Sequence, residues 1–243
     1  MSREADRDPH RAGRVAESFG SGPDLYDRAT PAERMGSWAM GTLGEELLTL
    51  LADLYEQGQE HDAHQPRHGD RLRNLEPQTA ALVSVLVRSS GRTRLLEIGT
   101  PNGYSTIWLA WAAAQTGGRL ISIEVDPGRQ RMAEDNLRRA GLRDRVDLVL
   151  GDATDVIEEL TGLFDLVFFD ADRVSAPAQL ALLLPRLAPD AMLLADNVLS
   201  HPGEIAGYLA ALEDLGDFDR LVVPVGKGLS VAYRGPGHPR EQR

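Results

Sequence analysis

Arg94-Leu-Leu-Glu-Ile-Gly-Thr-Pro-Asn-Gly-Tyr-Ser105, with Ile121-Ser-Ile-Glu-Val-Asp126 behind it, is the stretch that decides the fold. An apolar run (Leu95, Leu96, Ile98) holds Glu97 near its end and opens into a loop with Gly99 and Gly103. A second run (Leu120, Ile121, Ile123) ends in Glu124. In an open α/β sheet the ligand sits at the carboxyl ends of the strands. Glycines there let the backbone approach it, and an acid ending the next strand can accept from both ribose hydroxyls. The glycine spacing then selects the ligand. A dinucleotide site needs G-x-G-x-x-G, whose tight turn aims a helix N-terminus at a pyrophosphate. Here the pattern is E-x-G-x-x-x-G, with no second glycine and no phosphate-binding lysine. That suits a nucleoside without phosphate, of which S-adenosylmethionine (SAM) is the common one. The competing reading is an ordinary strand–loop–helix turn, and Glu124 at the right distance weighs against it.

The rest of the chain sets bounds on this reading. It has 243 residues, 42% of them hydrophobic, enough for one large α/β domain with a sizeable core, or a domain plus an appendage. Lys+Arg 26 against Asp+Glu 37 gives a net charge of −11, and so acidic a surface repels phosphate backbones. Nucleic acid is therefore not expected as the main partner. The absence of cysteine excludes disulfides, thiolate metal sites and cysteine nucleophiles. No apolar run approaches ~20 residues, and the polar start Met1-Ser-Arg-Glu-Ala-Asp6 is not a signal peptide. The expectation is a soluble cytoplasmic protein with no membrane partner.

Residues 1–24 are nearly free of large apolar side chains and read as a disordered arm. Thr30-Pro31 is a good helix start, and Leu43, Leu47, Leu50, Leu51 and Leu54 recur at helical spacing, which predicts a helix from Pro31 to about Gly58. Gln59 to Asn74 is polar and carries His61, His64 and His68. Pro66 and the lack of a carboxylate–histidine motif favour a solvated linker over a metal site. A helix over Pro77–Ser89 follows. From Arg94 strands and helices alternate: strands Arg94–Ile98, Arg119–Glu124, Val146–Leu150, Leu166–Phe169 and Ala191–Ala195, with helices over 105–114, from Pro127 to Gly141, over 178–187 and over 203–215. The last two runs, Arg220–Val225 and Leu229–Tyr233, are joined by Gly226-Lys-Gly228. They are too close for a helical crossover and predict an antiparallel hairpin. The result is a doubly wound α/β sheet, mostly parallel, with an antiparallel edge.

Glu97, Glu124, Asp170 and Asp196 sit at the ends of four strands, which parallel topology gathers on one edge. Four acids in one crevice repel one another unless they bind something. Asp170, in Phe168-Phe-Asp-Ala-Asp-Arg173, and Asp196-Asn197 come from adjacent strands. Two carboxylates and an amide oxygen, with the remaining positions left to water and substrate, suit a hard cation such as Mg²⁺. The competing reading makes Asp196-Asn197 a turn and Asp170 a loop cap.

From about Asn74 to Tyr233 the chain resembles the cation-dependent O-methyltransferases of the catechol and caffeoyl-CoA type. The likeness rests on Leu95-Leu-Glu-Ile-Gly-Thr100 with Gly103-Tyr-Ser105, on the Phe-Asp-Leu-Val-Phe-Phe-Asp-Ala-Asp run ending at Asp172, on Ala195-Asp-Asn197, and on Val223-Pro-Val-Gly-Lys-Gly-Leu229. The resemblance implies a class I SAM-dependent, Rossmann-like fold with a seven-stranded sheet and N-terminal helices. It implies that Glu97, Gly99, Thr100 and Ser105, with Gly103 in the same loop, line the methionine part of SAM, and that Glu124 holds the ribose. It places Asp152 and Ala153 beside the adenine, Asn74 and Leu75 over the cofactor, and Asp170, Asp196 and Asn197 on the metal. Residues 25–75 would then form a helical lid or dimerisation segment, 76–235 the SAM-binding domain and 236–243 a tail.

The chemistry expected is methyl transfer to a hydroxyl of a small, catechol-like aromatic acceptor. The acceptor is aligned with the methyl carbon and deprotonated with the help of the cation. Two departures stand out. Where the family commonly has a lysine base, this chain has Arg173, which keeps its proton at working pH and can stabilise a phenolate but not act as base. The tyrosine usual a few positions later is missing from Val174-Ser-Ala-Pro177. His201 is a replacement candidate for the base. The alternatives are a metal-independent methyltransferase acting on another small molecule or an RNA base, and a non-catalytic SAM-binding protein. Trp38, Met40 and Tyr55, added to the leucine stripe, predict a homodimer.

Overall fold

The computed structural model describes residues 43–235. The arm 1–24, the helix start at Thr30-Pro31, Trp38, Met40 and the tail 236–243 lie outside the described residues. Helix α1 (Glu45–His64) begins after Gly44, so the helix expected without interruption from Pro31 is broken at Leu43-Gly44. At its other end α1 runs six residues past Gly58 into the stretch expected as a linker. His61 and His64 there bond the backbone carbonyls of Asp70 and Glu60, at 3.0 and 2.7 Å. The chain leaves the helix at Gln65, because a residue before proline is driven out of the α region.

After α2 (Pro77–Ser89) come β1 (Arg94–Ile98), α3 (Tyr104–Gln115), β2 (Arg119–Glu124), α4 (Pro127–Arg139), β3 (Val146–Leu150), α5 (Ala153–Glu159), β4 (Phe164–Phe169), α6 (Ala176–Leu183), β5 (Leu187–Ala195), α7 (Pro202–Leu215), β6 (Asp219–Val223) and β7 (Leu229–Tyr233). Asp126 caps α4 by accepting from the amides of Gly128 and Arg129 at 2.6 and 2.9 Å, with Pro127 next. Several elements differ from the sequence reading, among them β4, which begins at Phe164, and β6, which ends at Val223. Helix α5 was not anticipated. Helix α6 lies earlier, ending at Leu183 where it was expected to reach Leu187. Strand β5 starts four residues before Ala191.

The seven strands lie in the order β3-β2-β1-β4-β5-β7-β6. β1 to β5 are parallel, and β7 is antiparallel to both β5 and β6. The antiparallel strand is thus second from the edge, not at it. β6, the edge itself, runs with the parallel strands, so the β6–β7 loop lies on the same edge as their carboxyl ends. Alternate strand residues serve two cores, as a sheet covered on both faces requires. Leu95, Leu166, Phe168 and Leu194 pack under α1–α4, while Leu96, Ile98, Val167 and Phe169 pack under α5–α7. Helix α3 is buried from Tyr104 to Ala113, and the Tyr55 ring of α1 lies 5.7 Å from that of Tyr104. Leu50, Leu51 and Leu54 of α1 are buried in the same core, with Leu47 and Leu48 partly buried against it. No helix among the described residues is long and apolar enough to cross a membrane.

Candidate active site

Strand order reverses between β1 and β4, and a crevice opens there. The β1 loop turns through Gly99 at φ 100°, and a Cβ on that residue would lie 2.8 Å from the Asp170 carbonyl oxygen. Only glycine permits the two strand ends to come so close. The crevice widens into a cleft of about 910 Å³, lined among others by Gly99, Pro101, Glu124, Asp152, Ala153 and Asp170. Glu124, almost fully buried, accepts from the amides of Thr100 and Asp126 at 3.1 and 2.9 Å, which fixes its carboxylate at the cleft wall. Asp152 caps α5 by accepting from the Thr154 amide at 2.8 Å.

Glu97, Thr100 and Ser105 stand behind this loop rather than in the cleft. Residue 97 falls on the α3 side of β1, so its carboxylate meets the first turn of α3. Oε1 accepts from Ser105 Oγ, and Oε2 from Thr106 Oγ1 and Ser122 Oγ, each at 2.6 Å. Burial pushes this carboxyl up to about 7, with the charge of Glu124 adding to the rise and the three hydroxyls opposing it. Gly103 caps α3 against Ala133. These residues shape the loop whose backbone faces the ligand.

Residues 69–75 cross the mouth of the cleft as a strap. The carboxylate of Asp62 in α1 accepts from the Leu72 and Arg73 amides at 2.6 and 2.8 Å. Asn74 donates to the Leu54 carbonyl at 3.0 Å, and Gly58 makes room, since a Cβ there would lie 2.3 Å from the Asn74 amide nitrogen. Arg129 donates to the carbonyls of Gly69 and Arg71. Leu75 turns into the core and Asn74 faces a second cavity, so Gly69 and Arg73 are the strap residues that line the cleft.

Asp170 and Asp196 end adjacent strands. With Asn197 and Arg173 they line a small pocket of about 310 Å³ beside the cleft. Burial and then Glu76 push the Asp196 carboxyl up to about 7, against the Asn197 amide, Lys227 and Arg173. Asp170 is raised by burial, then by the charges of Asp196 and Glu97, with Arg73 opposing. Asp196 Oδ1 is buried without a hydrogen-bond partner among the described residues. Asn197 sits at φ 64°, a left-handed conformation that closes the turn after β5. Two acids held above their ordinary range, one with an orphaned oxygen, beside an amide make a donor set that fits a hard divalent cation. No group of three or more His, Cys, Asp or Glu side chains suited to a metal occurs among the described residues, and the set at this pocket is two acids and an amide.

The second cavity, about 650 Å³, adjoins this pocket and contains Arg173, Asn197, His201 and Lys227 in its wall. Arg173 is buried and donates to Glu204 Oε2 at 2.8 Å. His201 Nδ1 lies 2.8 Å from Ser200 Oγ. Lys227 pairs with Glu76 Oε1 at 2.7 Å. Desolvation lowers its pKa, but the bond to Glu76 and the charges of Glu76 and Asp196 leave it raised overall, so it stays protonated. Lys227, Glu76, Asp62 and Arg73 had no role in the sequence reading. Lys227 could have been found, because a loop that follows a strand parallel to β1–β5 must open on the ligand edge.

A doubly wound sheet with a nucleoside-sized cleft at its switch point, an acid on the second strand and an acid–acid–amide set alongside defines a Rossmann-like class I methyltransferase. A family model described as a methyltransferase domain matches residues 96–198. A catechol O-methyltransferase of Mycobacterium tuberculosis is 38% identical over 133 residues, 54% of this chain and 60% of that protein, so the matched part spans three-fifths of that relative's length. A candidate O-methyltransferase of Mycolicibacterium smegmatis is 31% identical over 176 residues, 66% of this chain and 82% of that protein. Among solved structures, the O-methyltransferase TomG of Streptomyces achromogenes, involved in tomaymycin synthesis and in complex with SAM, superimposes with a TM-score of 0.66 at 26% identity, covering 87% of this chain and 99% of that one. The chain belongs to the O-methyltransferase family.

Proposed function

We propose that this chain is a SAM-dependent O-methyltransferase that acts on a hydroxyl of a small, catechol-like aromatic acceptor and uses a divalent cation, Mg²⁺ or one like it. The observation that carries this is the orphaned, buried Oδ1 of Asp196 beside Asp170, between a nucleoside-sized cleft and a second cavity. Asp170, Asp196 and Asn197 would hold the cation. A divalent cation there would lower a phenolic pKa from near 10 and orient two neighbouring hydroxyls.

The chain's own residues supply the rest. Glu124 is fixed by two backbone amides where it can accept from the ribose, and the Gly99–Pro101 backbone lets the sulfonium end approach Asp170. This alignment is the main catalytic contribution, since SAM already carries a good leaving group. The Arg173 guanidinium presents a positive charge to the ionised acceptor, with Glu204 setting its direction. Lys227, tied to Glu76, is likewise a charge and not a base. His201 is the lining side chain that would accept the proton, with Ser200 Oγ beside its ring nitrogen.

The test is a screen of catechols, flavonoids and hydroxylated polyketides with labelled SAM, with and without EDTA. Cation-dependent methylation of a catechol-type acceptor is the expected result. Full turnover in excess EDTA would make Asp170, Asp196 and Asn197 polar contacts to substrate instead. Homodimer assembly belongs to the same reading and rests on Trp38 and Met40; light scattering showing a single chain of 26.5 kDa would overturn it.

A further inference from the structure

The cavity beside Asp196 is basic in a chain of net charge −11. Arg71, Arg73, Arg173 and Lys227 all reach its wall, and Asp62 is the one carboxylate there. Both oxygens of Asp62 are occupied by the Leu72 and Arg73 amides. Three of the four cations have fixed partners: Arg71 the Gln65 carbonyl, Arg173 the Glu204 carboxylate and Lys227 that of Glu76. The Arg73 guanidinium has no ion pair or hydrogen bond among the described residues. Its backbone is held at φ 52°, a left-handed conformation uncommon for a non-glycine residue, which the Asp62 clamp sustains. Arg73 borders the cofactor cleft, the small acidic pocket and the second cavity at once. With a cation on the two carboxylates of the small pocket, Arg73 would still have no paired carboxylate among the described residues.

We propose that the acceptor supplies a counter-charge: the substrate is a hydroxylated aromatic acid, and its carboxylate is received by Arg73, with Lys227 and Arg173 beside it. This rests on the second cavity being the acceptor site. A planar guanidinium receives a carboxylate through two parallel N–H bonds, which fixes the ring's direction as well as its affinity. The ring hydroxyls then fall on the Asp170–Asp196 side. A neutral catechol of the same shape leaves Arg73 unpaired.

Calorimetry on the intact protein, with S-adenosylhomocysteine and Mg²⁺ present, compares 3,4-dihydroxybenzoate with its methyl ester, which keeps both hydroxyls and loses the charge. The acid should bind about 10-fold more tightly than the ester. Arg73→Gln should bring the ratio close to one and Arg73→Lys should restore part of it. Lys227→Gln, in an exposed loop, should lower the ratio about three-fold, and it serves if Arg73→Gln proves misfolded by circular dichroism. Equal affinity for acid and ester, no measurable binding of the acid, or a ratio unmoved by both Arg73→Gln and Lys227→Gln overturns the proposal. So does an Arg73→Gln protein that loses S-adenosylhomocysteine affinity but keeps the ratio, since the guanidinium would then serve the cofactor's own carboxylate. Turnover of the same two compounds with labelled SAM is scored separately. A binding preference without methyl transfer upholds the carboxylate site at Arg73 but refutes its reading as the acceptor site, and methyl transfer without the preference upholds the methyltransferase reading and overturns the carboxylate site.

Discussion

Replacing Glu97 by glutamine should change how stability depends on pH, by an amount the site itself sets. The carboxyl is fully buried and titrates at about 7 where 4.5 is ordinary, with burial as the largest cause. At about 1.4 kcal/mol per pH unit, that gap is worth roughly 3 kcal/mol. An acid raised in the folded chain holds its proton while the unfolded chain has already released it. Its contribution is therefore intact below pH 4.5, falls as pH climbs, and is gone just above 7. Between pH 5 and 8 this one group should remove about 2.5 kcal/mol from the parent protein. Glutamine is neutral throughout. Its carbonyl oxygen can still accept from Thr106 and Ser122, and its NH₂ can donate to Ser105 Oγ once that hydroxyl rotates. Urea unfolding of both proteins in EDTA, at pH 5 and pH 8, gives the comparison, and titrations common to both cancel in the difference. Glu97→Gln should gain about 2.5 kcal/mol on the parent between the two pH values. If the gap moves by less than about 0.5 kcal/mol, Glu97 is ionised in the fold at pH 5 and the account of a neutral acid propping the cofactor loop is wrong.

Glu124→Ala should weaken S-adenosylhomocysteine binding by about 2–3 kcal/mol in calorimetry, because a charged hydrogen bond to the ribose is lost along with the acceptor for the Thr100 and Asp126 amides. NAD should not bind at all, and tight NAD binding without SAM binding would sink the cofactor assignment. Asp196→Ala should abolish cation-stimulated turnover while the circular dichroism spectrum stays that of the parent. Arg173→Ala should lower activity about 10- to 100-fold and Arg173→Lys should retain most of it, with no limb of the pH–rate profile attached to residue 173. An Arg173→Ala enzyme as active as the parent would leave the pair with Glu204 as a purely structural contact.

The parallel strands were readable because each is a short, mostly apolar run closed by an acid or a turn, the pattern that burial on both sheet faces imposes. The same logic found Gly99, Glu124, Asp170, Asp196 and Asn197, which the fold brings to one edge. It failed where the physics lies in contacts distant along the chain. The end of α1, Gln59–His64, carries no apolar stripe and is helical because it continues a helix already anchored by Leu50, Leu51 and Leu54. Helix α5 offers only Val156 and Ile157 to a core, too little periodicity to notice. Glu97 was assigned to the ligand because it is an acid near a strand end, yet the two-residue alternation of β1 turns it toward α3. Arg73 gave no signal: a non-glycine residue at positive φ has no sequence mark, and the clamp that holds it comes from Asp62, eleven residues earlier. The position of β7 inside the sheet follows from pairing, which local pattern does not encode.

That position bears on how the protein is made. A ribosome releases the chain from the N-terminus at about 5–20 residues per second, so β5 and β6 emerge before the strand that joins them. Until Leu229–Tyr233 is free, β5 presents a bare, apolar edge and β6 has no neighbour within the sheet. The same delay reaches the chemistry, because the amides of Val198 and Leu199 bond the carbonyls of Gly228 and Lys227. The turn bearing Asp196 and Asn197 is thus braced by residues synthesised some thirty positions later. A nascent chain carries an open flank that other strands can join, and neither ligand can rescue it early, since the pocket matures only when the final strand slides into place.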